Sequence, residues 1–471
     1  MLFHTWHFFL FFAIAYAGFL LLKKTRYMNL WLLTASYFFY GWWNPLYLFL
    51  IIYSTALDYY VGLKLDHPSR RGTTNAPFFC IREPRKMWLT LSVINNLLLL
   101  GFFKYAGFVT DNLNTLFSWL NVGLTIPPSN ILLPIGISFF TFQSMGYSID
   151  VYRGQFQAEK NFIKFATFVA FFPQLIAGPI ERARTLLPQL QRGCRISATD
   201  ISDGLSLFMV GLFKKVALAD FLAIYVDRVY GAPANYSSLS LVCATYAFAW
   251  QIYFDFSGYT DMACGLARTM GIRLTLNFDN PYTATGLRDF WRRWHITLSS
   301  WFRDYVYIPL GGNRQGKILT CLYILLTMII AGFWHGAAWK FILWGLLHAV
   351  GRILTGDLEK TALYEKIPRL ARQLLTFHFV CLGWVFFRAE GISEAMLILR
   401  RIFAGTGSSS EVPVVMFAII AVIWMYQLIF SSRAKKILDW QPLRIALMLL
   451  ILIYLMIFTT VGHEPFIYFQ F

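Results

Sequence analysis

The chain has 471 residues, of which 57% are hydrophobic and only 14% charged, with a mean hydropathy of +0.53 and a formal net charge of +17. Soluble domains sit nearer about 45–50% apolar and about 25% charged, so the excess is too large for one buried core and excludes an ordinary soluble domain. A positive balance can signal nucleic acid, but here the charges are scattered through short loops between apolar runs. Anionic lipid headgroups of a bilayer are the expected partners, and no nucleic acid is expected.

A membrane-spanning helix needs about 17–25 mostly apolar residues. Runs 6–22, 45–63, 87–103, 161–177, 239–256, 318–334, 337–355, 372–389, 413–430 and 442–461 meet that with few or no charges. Stretches 29–43, 107–120, 131–149 and 204–230 are short or interrupted, which leaves spanning, re-entry and an interfacial position open. The pattern predicts an all-α polytopic membrane protein with about 10–13 membrane helices plus re-entrant or interfacial segments, in one transmembrane domain over 1–471. The first run resembles a signal peptide in length. Its positive residues Lys23, Lys24 and Arg26 follow the apolar stretch and no small-residue cleavage site precedes them, so it reads as a retained helix.

Basic clusters orient such a chain. Lys23, Lys24 and Arg26, then Lys64 to Lys86, then Arg182 to Arg195, then Arg433 to Lys436 mark cytoplasmic loops. Both termini then face outward. The polar stretches 66–86 and 404–412 read as a cytoplasmic and an outward loop. Cysteines 80, 194, 243, 264, 321 and 381 show no C-x-x-C spacing. Neither a disulfide framework nor a metal site is expected. No internal repeat of the kind that builds many transporters is visible.

Residues 279–317 break the membrane pattern. Aromatic and apolar residues alternate there with Arg288, Asp289, Arg292, Arg293, His295, Arg303 and Asp304. Charges near a bilayer centre are costly, so the stretch belongs at the interface or in a protein-lined cavity. Trp291, Trp294, Leu298 and Trp301 recur at helical spacing and predict one aromatic face, bordered by His295. Two readings fit: an interfacial amphipathic helix anchored by Trp and Arg, or a basic entrance for an anionic substrate. A second break is Ala331–Trp339, where Trp334 and His335 sit between Gly332 and Gly336. An ionisable residue at membrane depth marks a candidate functional site, and a core histidine hydrogen-bonded across helices is the alternative. His348 and His378 fit that alternative better, lying inside apolar runs. Asp255 and Asp261 flank Gly258, which predicts a broken or tightly packed helix, and are expected to pair with Arg292, Arg293 or Arg303. Gln143, Asn95 and Asn96 are expected to form interhelical hydrogen bonds.

Seven stretches, in order along the chain, carry a resemblance: ASYFFYGWW at 35–43, PIGISFFTFQ at 134–143, FPQLIAGPI at 172–180, DFSGYTDMA at 255–263, FWRRWHITLSSWFRDYVYIPLGGN at 290–313, GFWHGA at 332–337 and PFIYF at 465–469. The chain resembles the membrane-bound O-acyltransferase (MBOAT) family. Within it, the likeness is to the bacterial polysaccharide branch of alginate O-acetyltransferase membrane subunits and teichoic acid D-alanyl transfer proteins. The long block around Arg292–His295 is the specific part; the Trp-His-Gly motif alone is weak.

The resemblance implies the MBOAT fold, a ring of tilted helices around a thin centre crossed by a tunnel, with the core motifs at about 130–350. It maps the family's two functional histidines onto His335, as the catalytic one, and His295. It implies an O-acyltransferase moving an acetyl group from a cytoplasmic thioester, acetyl-CoA or an acyl carrier, to an extracytoplasmic polysaccharide such as an alginate-like polymer or peptidoglycan. No bound cofactor is implied, and an exported or membrane-anchored acetyltransferase- or esterase-like partner is. Arg292, Arg293, Trp294, Trp334, Asp255 and Arg303 are candidate donor-binding or tunnel residues. The implied location is the bacterial cytoplasmic (inner) membrane. D-alanyl transfer is the alternative within the family. A transporter relaying protons through its histidines is the alternative outside it.

Overall fold

In the computed structural model every described element is helical. The structure describes residues 1–66, 84–128, 131–192, 195–405 and 440–458, with isolated positions between 414 and 425. Most of 66–86, of 404–412 and of the run 413–430, and the motif at 465–469, lie outside the described residues. The chain divides into two compact units, Met1–Leu205 with Ala263–Thr275, and Ser206–Met262 with Leu276–Phe471.

The first unit contains α1 (Trp6–Leu22), α2 (Met28–Gly41), α3 (Tyr47–Leu65), α4 (Pro84–Leu100), α5 (Ala106–Trp119), α6 (Ile137–Tyr152), α7 (Phe162–Ala170), α8 (Phe172–Leu175), α9 (Ala183–Arg192) and the start of α10 (Ala198–Phe213). Runs 87–103 and 107–120 are not separate. A single π-helical turn, Gly101–Tyr105, joins α4 to α5 into 36 continuous residues. At about 1.5 Å per residue this is about 54 Å, well beyond the roughly 30 Å of hydrocarbon in a bilayer. The run 161–177 divides instead. Phe171 leaves helical geometry at φ −52°, ψ 111°, and Pro173 sits in the first turn of α8, where its missing N–H costs nothing.

Polar groups inside this unit are met by partners. Asp58 on α3 is fully buried, with Ser92 Oγ 2.6 Å and Asn96 Nδ2 2.9 Å away on α4. Asn95 accepts from Tyr53 at 2.9 Å, and Gln143 on α6 donates to the Phe168 carbonyl at 2.6 Å. The interhelical hydrogen bonds expected of these amides are therefore present.

The second unit contains the end of α10, then α11 (Asp220–Tyr230), much of α12 (Ser238–Thr269), α13 (Leu287–Arg293), α14 (Ile296–Phe302), α15 (Ile308–Leu310), α16 (Lys317–His335), α17 (Trp339–Leu358), α18 (Ala362–Lys366), α19 (Arg369–Arg388), α20 (Ile392–Ala404) and α21 (Gln441–Phe458). Gly258 does not break α12. A Cβ there would lie 2.7 Å from the Gly211 carbonyl, so the glycine serves close packing. Beside it, a π-helical turn at Lys214–Ala219 buries Lys215 between Asp220 and Asp255, each at 2.8 Å, and Lys214 meets Asp261 at 2.6 Å. The expected pairing of Asp255 and Asp261 with Arg292, Arg293 or Arg303 is thus wrong. The lysines of the π turn take both carboxylates instead.

Helices α16 and α17 form a hairpin whose backbones touch. A Cβ on Gly332 would lie 2.2 Å from the Phe341 carbonyl, and one on Gly345 2.3 Å from the Met328 carbonyl. The opposite side of α16 exposes Ile318, Leu322, Leu326 and Ile330 at four-residue spacing, an apolar stripe suited to lipid. Five described helices are long and apolar enough to cross a membrane: Tyr47–Leu65, Pro84–Trp119, Lys317–His335, Trp339–Leu358 and Arg369–Arg388. Trp6–Leu22 and Gln441–Ile457 are shorter apolar helices. The chain is a multi-pass, all-α membrane protein.

Candidate active site

The 287–302 stretch is not one helix. α13 ends at Arg293, Trp294 turns to extended geometry, and His295 takes the left-handed conformation at φ 42°, ψ 56° before α14 begins. A non-glycine residue held there stores backbone strain, which a packed surrounding must impose. The expected continuous aromatic face is therefore cut at its middle, and the cut turns the His295 side chain fully inward. The strand-like segment before α13 supports it. The Ile296 N–H bonds the Asn277 carbonyl and the Asp279 N–H bonds the Arg293 carbonyl, both at 2.9 Å.

Asn277 also fixes the protonation of this histidine. Its Oδ1 accepts from the Thr297 N–H at 3.2 Å and from Thr297 Oγ1 at 2.9 Å. A backbone N–H can only donate, so that atom is the amide oxygen. His295 Nδ1, 3.1 Å from the same oxygen, must then carry the hydrogen. In the neutral ring this leaves Nε2 as a bare acceptor, and Nε2 is buried without a hydrogen-bond partner among the described residues. Burial pushes the imidazole down to about 3, which keeps it neutral near pH 7. The arrangement is that of an oriented base: a fixed tautomer, a second group behind it, and a free lone pair in front.

His335 arrives by another route. It is the last residue of α16, where the chain leaves helical geometry at Gly336, and it is buried. Trp344 and Phe387 meet its ring edge-on at 5.0 and 5.4 Å. Trp334 stands between the two histidines, 6.2 Å from His295 and 5.1 Å from His335 by ring centroids. Trp294 packs 5.0 Å from Trp384, and Trp384 stacks 6.2 Å from Trp344. His295, His335, Trp294 and Trp334 are thus gathered into one aromatic cluster.

The arginines sort differently from expectation. Arg293 is taken by Asp289 at 2.8 Å and Asp279 at 3.7 Å, and Arg303 by Asp304 at 2.8 Å. Arg288 and Arg292, one helical turn apart on α13, are exposed and make no ion pair among the described residues. Arg352 on α17 lies close enough for the three charges to repel one another, with Glu359 as its nearby carboxylate. Packing explains the meeting: Leu287 seats against Gly351, and its N–H donates to Glu359 at 3.0 Å. Asp255 is held by Lys215.

Sequence reading missed Asn277, Trp344 and Arg352. No motif marks them, because their roles come from neighbours distant along the chain. His348, read from sequence as a hydrogen-bonded core histidine, is instead fully buried with neither ring nitrogen hydrogen-bonded among the described residues. His378 is hydrogen-bonded, with Tyr246 Oη 2.6 Å from one nitrogen and the Leu374 carbonyl of its own helix 2.7 Å from the other, but it is exposed and so is not a core histidine.

Known proteins supply the family. The model of the membrane-bound O-acyltransferase family matches residues 155–356. The chain is 43% identical over 408 residues to the probable alginate O-acetylase AlgI of Pseudomonas syringae pv. tomato, covering 86% of this chain and 75% of that protein. It is 36% identical over 435 residues to the peptidoglycan O-acetyltransferase of Helicobacter pylori, covering 85% and 79%. It is 30% identical over 281 residues to the teichoic acid D-alanyltransferase of Bacillus subtilis, covering 56% and 71%. The chain belongs to the membrane-bound O-acyltransferase family and is an O-acyltransferase.

Proposed function

We propose that the protein moves an acetyl group from a cytoplasmic thioester across the bacterial inner membrane to hydroxyls of an extracytoplasmic polysaccharide, directly or through an exported or membrane-anchored partner. The observation that carries this reading is the pair of buried histidines on either side of Trp334, one of them locked in the tautomer that presents a bare nitrogen. Such a pair can hold and deprotonate an alcohol away from water, which acyl transfer to a hydroxyl requires.

In this reading His335 takes the proton as the hydroxyl oxygen bonds to the acyl carbon. The carbon–sulfur bond then breaks and the proton passes to the leaving thiolate. His295 Nε2 accepts a hydrogen bond from a neighbouring hydroxyl of the acceptor and so orients the one that reacts. Arg288, Arg292 and Arg352 receive the phosphates of a CoA or phosphopantetheine donor, since guanidinium forks suit phosphate and, among the described residues, no carboxylate pairs with the exposed two on α13. Acetyl is favoured over D-alanyl because identity and coverage are greater toward the O-acetylating relatives than toward the D-alanyltransferase.

The test replaces His335 with alanine, verifies folded protein in the membrane, and measures acetyl esters on cell-surface polymers. Loss of acetyl from one polymer supports the reading and names the acceptor. Unchanged acetylation sinks it. A loss of D-alanine esters with acetyl intact redirects it to the other acyl group.

A further inference from the structure

Trp344 is the ring between two imidazoles. Its centroid lies 5.0 Å from His335 and 4.8 Å from His348, edge-on to both. His348 is fully buried and Trp344 is 1% exposed. Trp344 Nε1 and both ring nitrogens of His348 have no hydrogen-bond partner among the described residues. Phe290 lies parallel to the His348 ring and Phe379 meets it edge-on, so its walls are largely hydrocarbon. Buried polar groups in native proteins are almost always met, and neighbouring exceptions point to a ligand or water.

The two indole and imidazole nitrogens share a target. A Cβ built on Gly383 of α19 would lie 2.9 Å from His348 Nε2 and 3.4 Å from Trp344 Nε1. Both nitrogens therefore face the same bare stretch of backbone, and any side chain at residue 383 would cover them. Trp344 Nε1 can only donate, and a neutral imidazole has one N–H to offer.

We propose that Trp344 Nε1–H and His348 Nε2–H form a two-donor subsite at Gly383 for the carbonyl oxygen of the acyl group being transferred. The inference rests on the acyl-transfer reading above and adds what that reading lacks, a place for developing negative charge. As the acceptor oxygen bonds to the acyl carbon, the carbonyl electron pair moves onto this oxygen. The two N–H groups stabilise it there. When the carbon–sulfur bond breaks, the pair returns and the thiolate takes the proton carried by His335. Fixed donors in a dry site need no reorganisation at that moment, and removing one from such a site typically lowers kcat by about 10²–10³-fold.

The experiment uses the full chain in native membranes, with radiolabelled acetyl-CoA as the probe, and follows thiol release and label on polymer. Trp344→Phe keeps the ring and removes the N–H. It is expected to lower kcat about 10²-fold while KM for acetyl-CoA stays within about twofold. Gly383→Ala should do the same by covering both donors. His348→Gln, which can still donate, should retain more activity than His348→Phe. Melting temperature checks the fold of each variant, and Trp344→Phe remains informative where Gly383→Ala does not fold. Wild-type kcat in folded Trp344→Phe and His348→Phe overturns the subsite, as does a change confined to KM. His335→Ala separates the two claims. If it abolishes transfer while Trp344→Phe is fully active, the subsite alone fails. If His335→Ala is active as well, the transfer reading fails first.

Discussion

Replacing Asn277 with leucine is expected to disable the site through a residue that touches neither His335 nor the arginines. Asn277 Oδ1 accepts three hydrogen bonds, from His295 Nδ1 at 3.1 Å, the Thr297 N–H at 3.2 Å and Thr297 Oγ1 at 2.9 Å. At about 1 kcal/mol net each, leucine removes roughly 3 kcal/mol of stability, the larger part from donors left buried and unmet. The effect on rate is separate. Without its acceptor the His295 ring can carry its hydrogen on either nitrogen, and loss of the group that orients an essential histidine costs up to about 10⁴ in kcat. We expect kcat to fall about 10²–10⁴-fold with donor KM little changed. Asn277→Asp keeps every acceptor but adds a negative charge beside the ring, which favours imidazolium. That variant should fold and shift its activity toward higher pH, where Nε2 is bare again. The assay is acetyl transfer from labelled donor in membranes, with melting temperature in detergent as the fold check. A folded Asn277→Leu protein with wild-type kcat would refute the reasoning.

Other outcomes follow from the same geometry. Gly332→Ala should destabilise the α16–α17 hairpin by roughly 1–3 kcal/mol or more, because its Cβ would lie 2.2 Å from the Phe341 carbonyl; Gly101→Ala, which meets nothing within 4 Å, should be nearly neutral in the same melting assay. Lys215→Met leaves Asp220 and Asp255 facing each other without their cation and should cost about 3–5 kcal/mol, a loss that adding Asp220→Asn should partly reverse. Arg288→Gln with Arg292→Gln should raise KM for a phosphate-bearing donor at least about tenfold with kcat unchanged; unchanged KM removes the donor role from α13. His295 titrates at about 3 when folded against an ordinary value of 6.5. The folded pKa is the lower one, so this contribution to stability is complete above about pH 6.5 and declines as pH falls toward 3. Melting temperature should therefore drop between about pH 7.5 and pH 5, and His295→Gln should show a smaller drop.

The membrane class was legible because lipid imposes a one-dimensional rule. A span must be apolar over its whole length, so α16, α17 and α19 stand out as runs in the sequence. The amides also announced themselves, since Gln143, Asn95 and Asn96 inside apolar runs must find partners. Periodicity was less faithful. It predicted one helix through Trp291, Trp294, Leu298 and Trp301, and nothing in that spacing could reveal that His295 takes the left-handed conformation. That strain is held by pairing with Asn277 and Asp279, residues off the helical pattern altogether. The basic block was equally ambiguous: its arginines look alike in sequence, and only packing tells Arg293, which Asp289 neutralises, from Arg292, which no carboxylate meets among the described residues.

The sequence by itself determined the solvent of this protein, its helical class and the two histidines of the family motifs, since hydrophobic run length and local motifs are properties of neighbouring residues. Tertiary structure decided which nitrogen of His295 is bare, which arginines make no ion pair among the described residues, and that Trp344 joins His335 to His348. Those are properties of residues far apart along the chain. Hydrogen-bond direction, charge neutralisation and burial depend on what arrives alongside a group, and no residue carries that information alone.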